Sequence, residues 1–371
     1  MANGGFLTIR HYNHRMLPPD AVSPPAADER LTRLRQWLES TLGMAGADCA
    51  PASADASFRR YFRIWHGGHT YVAMDAPPAR EDTRPFVKVA ALLAATGVNV
   101  PRVIAEQPED GFLLLSDLGT TQYQQVLTGA DERTRDRLYR DAAVALLQLQ
   151  GRGQEASLRV PAYSLAALDR EMQLFPEWFL ERHLHLALTA VEREALELVF
   201  ARLATAALEQ TQVLVHRDYH SRNLMVCEPG NPGILDFQDA VRGAITYDLV
   251  SLYKDCYLRW PREQVVTWVE FYRAAAVDAL VLPANVDSAT FLRHFDLMGV
   301  QRHLKVLGIF ARLWWRDGKS TYLHDLHRVL DYVLEVLPRY PELQPLQPLF
   351  VERVLPAFES AQARALAAAR A

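Results

Sequence analysis

The chain has 371 residues, 50% hydrophobic and 23% charged, a globular balance that excludes a largely disordered chain and leaves room for two lobes or domains. Lysine plus arginine number 40 and aspartate plus glutamate 44, so the formal charge is −4, and no global basic field draws the chain to nucleic acid or an anionic membrane. Three scattered cysteines, Cys49, Cys227 and Cys256, exclude a disulfide scaffold or a CxxC metal site and fit a reducing cytoplasm.

Residues 1–27 read as a mobile extension. Arg10, His11, His14 and Arg15 occur there without an apolar core of signal length, residues 17–25 are proline-rich, and Met16 is an alternative start. No run reaches the roughly 18 apolar residues of a membrane span. Leu31, Leu34, Trp37, Leu38 and Leu42 predict a helix over 28–42, closed by Gly43. Residues 58–65 and 70–75 predict two strands around a His66-Gly67-Gly68-His69 turn. A helix over 85–96 ends at Gly97, and strands over 101–106 and 111–116 flank an Asp-Gly turn. After about residue 117 long amphipathic helices take over, clearest at 131–150, 191–210, 263–279 and 290–315. Short apolar runs at 213–215, 224–226 and 233–235 interrupt them, and the Ala/Arg-rich end, 361–371, reads as a surface helix.

The polar loop among those short runs carries the chemistry. It reads His216-Arg217-Asp218-Tyr219-His220-Ser221-Arg222-Asn223, and thirteen residues after Asn223 comes Asp236-Phe237. Phosphoryl transfer needs a carboxylate beside the attacking hydroxyl and hard oxygen ligands for Mg²⁺. Asp218 suits the first need, as base or orienting group, and Asn223 with Asp236 suits the second. The spacing H-x-D-x-x-x-x-N followed by D-F is that of the kinase catalytic apparatus, with ATP and Mg²⁺ as the implied cofactors. Three polar elements at these spacings, each flanked by short strands, exceed what a hairpin rich in Asx-turns requires. The histidine pairs 183/185 and 324/327 lack a third ligand, so a hard-ligand Mg²⁺ site is favoured over zinc.

This constellation resembles the aminoglycoside phosphotransferase/choline kinase branch of the protein-kinase-like fold, including its G-x-x-x-x-D element at Gly243 to Asp248. The resemblance implies an α+β, bilobal chain, with a small antiparallel-sheet lobe over 28–118 and a larger helical lobe over 119–371. It also implies that Asp248 braces the catalytic loop. The runs 57–63, 74–78, 234–240, 243–255 and 302–310 look like one bacterial subfamily, the anomeric kinases of N-acetylmuramate and N-acetylglucosamine used in cell-wall recycling. That likeness extends over about 31–338. It implies a cytoplasmic enzyme with a small amino sugar as partner, no nucleic acid or membrane, and no obligatory protein partner.

Two departures stand out. No glycine-rich loop precedes the second strand. Residues 52–57 are small instead, and Ser57 can offer a hydroxyl and an amide to phosphate. The strand over 71–75 also lacks the phosphate-pairing lysine. Lys88 and Arg60 are the leading substitutes, with Arg59 and Arg63 as further candidates. A missing lysine also keeps open a nucleotide-binding pseudokinase, although such a module needs no base at Asp218. A kinase for a small alcohol or an aminoglycoside is the other alternative. Residues 111–119 read as the strand and turn joining the lobes, with Leu115, Ser116, Asp117 and Leu118 at the adenine.

The acceptor is suggested by charge. From 291 to 328 seven basic residues, Arg293, Arg302, Lys305, Arg312, Arg316, Lys319 and Arg328, face three acids. An acidic sugar suits that sign better than a polycation. His216, His220, Arg222, Arg302 and Arg316 are the candidates for contact with the acceptor. Trp314 and Trp315 are candidates either for stacking on a sugar face or for the core.

Overall fold

A computed structural model describes residues 28–54 and 58–369. It falls into two compact units, one ending at Asp48 and the other running from Cys49. The first carries helix α1 (Glu29–Ser40), where Asp28 caps the N-terminus by accepting the Leu31 N–H at 3.0 Å. The expected extension over 1–27 and the candidate phosphate contact Ser57 lie outside the described residues.

A five-stranded sheet follows, in order β1-β2-β3-β5-β4. Its strands are β1 (Asp48–Ala54), β2 (Arg60–His66), β3 (His69–Asp75), β4 (Val103–Gln107) and β5 (Phe112–Ser116). The pairs β2–β3, β3–β5 and β4–β5 are antiparallel. Gly67 and Gly68 both take positive φ, 59° and 77°, which a two-residue hairpin turn demands. β1 escaped the sequence reading because Asp-Cys-Ala-Pro-Ala-Ser-Ala has neither alternation nor β-branched residues. Helix α2 (Arg84–Ala95) buries Phe86, Val89, Ala90 and Leu93 at helical spacing, and Phe86 packs on Phe237 with ring centroids 4.8 Å apart.

The rest is mainly helical: α3 (Tyr123–Leu127), α4 (Glu132–Arg152), α5 (Gln154–Ser157), α6 (Leu165–Met172), a π-helical segment (Phe175–His183), α7 (Ala190–Leu208), α8 (Tyr247–Tyr253), α9 (Arg262–Asp278), α10 (Ser288–Asp317), α11 (Leu326–Val336) and α12 (Leu355–Ala368). The four long helices expected from periodicity are α4, α7, α9 and α10. The α+β class expected from the sequence holds. The C-terminal stretch is helical through Ala368: α12 starts earlier than residue 361, buries Phe358, Ala361, Gln362 and Ala365 on one face and exposes the other.

Two small antiparallel pairs carry the polar loop. β6 (Gln212–Val215) pairs with β9 (Val241–Ala244), and β7 (Leu224–Met225) pairs with β8 (Gly233–Ile234). Helix α10, 30 residues and about 45 Å long, runs through the core and buries much of its middle. Gly308 allows this, since a methyl group there would overlap the backbone carbonyl of Leu174. The close approach brings the end of α6 against the face of α10 that carries Lys305.

Candidate active site

Strand β6 delivers His216-Arg217-Asp218 at its end, and Asp248 on α8 fixes that turn. One Asp248 oxygen accepts the His216 N–H at 2.7 Å and the other accepts the Arg217 N–H at 2.9 Å. Arg217 takes φ 80°, a left-handed conformation that costs a non-glycine residue and is held by these bonds. Asp248 is fully buried, and burial pushes its carboxyl up to about 7 against the opposing pull of the two N–H donors and of Arg302. Asp255, which the sequence reading did not single out, plays a matching part further along. It accepts the Ser221 N–H at 3.0 Å, is bonded to the Ser221 hydroxyl, and accepts the Tyr257 N–H at 2.9 Å.

The structure brings Asp218, Asn223 and Asp236 together. Asn223 Nδ2 donates to the Asp218 carbonyl at 3.0 Å and lies 3.5 Å from Asp236 Oδ2. The Leu235 N–H donates to the Asn223 carbonyl at 2.9 Å, tying the hairpin to the loop. Asp236 itself has φ 62°. A carboxylate and a carboxamide oxygen are hard donors that fit Mg²⁺, leaving room for phosphate oxygens and water. Arg59 Nη2 stands 3.7 Å from Asp236 Oδ1 with only 12% of its side chain exposed.

The candidate cations separate clearly. Arg60 is committed to the fully buried Asp75 across the hairpin, with Nε 2.9 Å from Oδ2. Lys88 is exposed, off the face of α2 that packs inward. Arg63 grips Asp117 with both arms at 2.7 and 3.1 Å and donates to the Gly119 carbonyl at 2.7 Å. The Asp117 carboxylate is thereby occupied, and it also accepts the Gly119 N–H at 2.9 Å. Leu115 is buried in β5. Ser116 is tied to Arg102 by two bonds of 2.9 Å, Ser116 N–H to the Arg102 carbonyl and Arg102 N–H to Ser116 Oγ. Leu118 accepts from Cys227 Sγ at 3.3 Å.

Beside Asp218 opens a cavity of about 460 Å³, walled by α6, the loop, the segment after α8, and α10. Arg302 reaches Asp218 Oδ1 at 3.5 Å while bonding the Arg217 carbonyl at 2.9 Å and Tyr247 Oη at 3.1 Å. Glu171 is paired with Arg217 and, at 2.9 Å, with Lys305. Burial works to raise the Asp218 pKa, but the charge of Arg302, then His220, Lys305 and Arg217, outweighs it and holds the carboxyl well below the usual range. Its side chain stays 43% exposed, open to the cavity.

Of the acceptor-side candidates, Arg302 and His220 line this cavity and the others do not. His216 is buried and its pKa is driven down to about 4 by burial, so it is neutral, with Nδ1 accepting the Asp218 N–H at 3.2 Å. Arg222 lies over the Tyr257 ring, 3.5 Å from its centroid, and donates to Gln124. Arg316 sits exposed at the end of α10 and pairs with Asp317 at 2.7 Å, so its charge is spent at the surface. Trp314 and Trp315 are also off the cavity. Glu171 and Arg312 were not proposed for the site from sequence. Glu171 lies on an eight-residue helix too short to register as periodic, and Arg312 is distinguished from its basic neighbours only by the face it occupies.

A loop carboxylate braced from a neighbouring helix, an Asn/Asp pair on the adjoining hairpin and an antiparallel sheet ahead of them define a kinase-type phosphotransferase. Residues 48–284 match the phosphotransferase enzyme family, and the chain belongs to that family. It is 47% identical over 331 residues to the N-acetylmuramate/N-acetylglucosamine kinase of Pseudomonas aeruginosa, covering 86% of this chain and 95% of that protein. It is 41% identical to the protein of the same name from Neisseria meningitidis, covering 88% and 96%. Among solved structures it resembles a choline kinase from Streptococcus pneumoniae (TM-score 0.57, 11% identity, 83% of this chain and 99% of that one) and the GDP complex of aminoglycoside 2'-phosphotransferase-IIIa (0.55, 19%, 80% and 97%). At those identities the structural likeness establishes the kinase-like fold alone. No helix among the described residues is long and apolar enough to cross a membrane.

Proposed function

We propose that this enzyme transfers the terminal phosphoryl group of ATP to the anomeric C1 hydroxyl of N-acetylmuramate or N-acetylglucosamine, giving the sugar 1-phosphate. The observation that carries the reading is the charge around Asp218. The cavity wall bears five cations, Arg170, Arg217, Arg302, Lys305 and Arg312, against three carboxylates, Glu171, Asp218 and Asp239. That sign suits a sugar with a lactyl carboxylate and repels a polycationic aminoglycoside. The names of relatives at 41–47% identity over nearly their whole length support the same substrates.

In this reading Asp218 orients the C1 hydroxyl and accepts its proton late in a loose transition state. An anomeric hydroxyl is more acidic than an ordinary alcohol, so a strongly ionised carboxylate suffices. Asn223 and Asp236 would hold Mg²⁺, which neutralises charge on the phosphates. Arg59 supplies the cation that strand β3 lacks. The stretch from Leu115 to Leu118 receives the adenine where lobes 28–118 and 119–371 join. Recovery of cell-wall amino sugars in the cytoplasm is the setting such a reaction serves.

The test is ADP release with N-acetylmuramate, N-acetylglucosamine, choline and kanamycin. Turnover with either amino sugar, together with loss of its reducing end, is expected. Turnover with choline or kanamycin alone refutes the sugar assignment. Nucleotide binding without turnover on any acceptor would make the protein a pseudokinase.

A further inference from the structure

The cavity beside Asp218 holds positive charge that its own carboxylates leave unmatched. Arg217 and Lys305 share Glu171, and Arg302 is 3.5 Å from Asp218. Arg170 and Arg312 also line the cavity, and among the described residues neither has a carboxylate within salt-bridge distance. Their solvation differs. Arg170 is exposed on α6, where water satisfies its guanidinium. Arg312 is half-buried, and its Nε is sealed from solvent without a hydrogen-bond partner. Burial first, and then the charge of Arg316, lower its pKa, while the more distant carboxylates of Asp317 and Glu177 only partly offset them. A buried donor left unpaired is uncommon in folded proteins, and a bound anion would supply the missing acceptor.

Position gives that anion its place. Arg302, Lys305, Ile309 and Arg312 all line the cavity from α10, three, four and three residues apart, so they follow one face of the helix. From Arg302 to Arg312 that face runs about 15 Å between Cα atoms. Helix side chains incline toward the N-terminus, and arginine is long, so the span between the Asp218 carboxylate and a group held by Arg312 is shorter than the backbone separation. Val306 and Ile309 furnish an apolar wall between the charged ends. The cavity thus has a reacting end at Asp218 and, further along, a guanidinium without a salt-bridge partner among the described residues.

We infer that Arg312 anchors a carboxylate on the acceptor sugar and so sets the preference for N-acetylmuramate over the uncharged N-acetylglucosamine. This rests on the sugar-kinase reading above. The planar guanidinium suits a carboxylate because it offers two parallel N–H donors, which an ammonium cannot reproduce. N-acetylglucosamine, without the lactyl arm, is held by the rest of the cavity and owes nothing to Arg312.

The experiment is steady-state kinetics of wild type, Arg312→Gln and Arg312→Lys with both sugars at saturating ATP. Arg312→Gln raises KM for N-acetylmuramate by roughly tenfold to a hundredfold, the range for losing a charge-assisted hydrogen bond, and leaves kcat nearly unchanged. Both constants for N-acetylglucosamine, and KM for ATP, stay within about twofold, because a group that touches only the lactyl arm adds nothing to the other acceptor's binding. Arg312→Lys falls between, since it keeps the charge and loses the fork. Equal losses on both sugars would assign Arg312 to the cavity's architecture and overturn the inference, as would an unchanged KM for N-acetylmuramate. Should Arg312→Gln fail to fold, Arg312→Lys carries the comparison, because only a carboxylate contact makes one sugar alone sensitive to the fork. A wild-type enzyme inactive on both sugars refutes the sugar-kinase reading itself, whereas activity on both with an indifferent Arg312 variant refutes only the anchor.

Discussion

Replacing Asp248 by alanine removes both acceptors that hold the turn before Asp218. The His216 and Arg217 N–H groups, at 2.7 and 2.9 Å from the carboxylate, are then left in a site where Asp248 is fully buried. Each unsatisfied buried donor costs about 1–3 kcal/mol, so the two together cost about 2–6 kcal/mol before any cavity is counted. A domain of ordinary stability has about 5–15 kcal/mol to lose. The penalty also depends on pH, and its sign follows from the buried carboxyl. Asp248 has a pKa of about 7 in the fold against 3.8 without perturbation, so the native state holds the proton more tightly. The stability this gives is fully present below the unfolded value and is lost as pH rises toward 7, by at most about 4 kcal/mol at 1.36 kcal/mol per unit. Asp248→Ala lacks that contribution, so the gap between wild type and variant should be wider at pH 5 than at pH 8. Urea denaturation of both proteins at the two pH values measures it. A difference under about 1 kcal/mol, which a single exposed hydrogen bond would explain, refutes the bracing argument. A gap that widens from pH 5 to pH 8 would show that the N–H donors and Arg302, rather than burial, set the Asp248 pKa.

Asp218→Asn keeps the shape and removes the charge, so kcat should fall by roughly 10² to 10⁴ with nucleotide affinity unchanged, and a loss under threefold in rapid-quench assays would remove Asp218 from the chemistry. Asp236→Ala should abolish turnover at any Mg²⁺ concentration, and near-wild-type activity with excess metal would move the metal site elsewhere. Arg59→Ala should raise KM for ATP or lower kcat while Lys88→Ala does neither, a contrast set by Arg59 lying 3.7 Å from Asp236 and Lys88 being exposed. Arg60→Ala should act on stability, because it removes a charge partner from the fully buried Asp75, and breaking a buried pair costs about 3–5 kcal/mol at full burial and less here, where Arg60 is 38% exposed. Thermal denaturation separates that outcome from a change in KM for ATP.

The sequence placed Asp218, Asn223 and Asp236 in one candidate site, since a loop and an adjoining hairpin bring those spacings together. It also determined the long helices, whose apolar positions repeat over four or more turns, and the hairpins, whose Gly-Gly and Asp-Gly turns tolerate positive φ. It left β1 invisible because that strand has no alternating pattern, and α6 because eight residues make barely two turns. Which of several basic residues matters was decided by tertiary structure alone. In sequence, Arg59, Arg60 and Arg63 are near neighbours, yet one stands by Asp236, one pairs with Asp75 and one clamps Asp117. Arg312 and Arg316 are one helical turn apart, yet one lines the cavity and the other faces Asp317 at the surface. Charge acts through distance and burial, and neither is a property of chain position. A carboxylate from a short helix, Glu171, pairs with Arg217 of the loop and Lys305 of α10 but reaches neither Arg170 nor Arg312, a balance that exists only once α6 has packed beside α10.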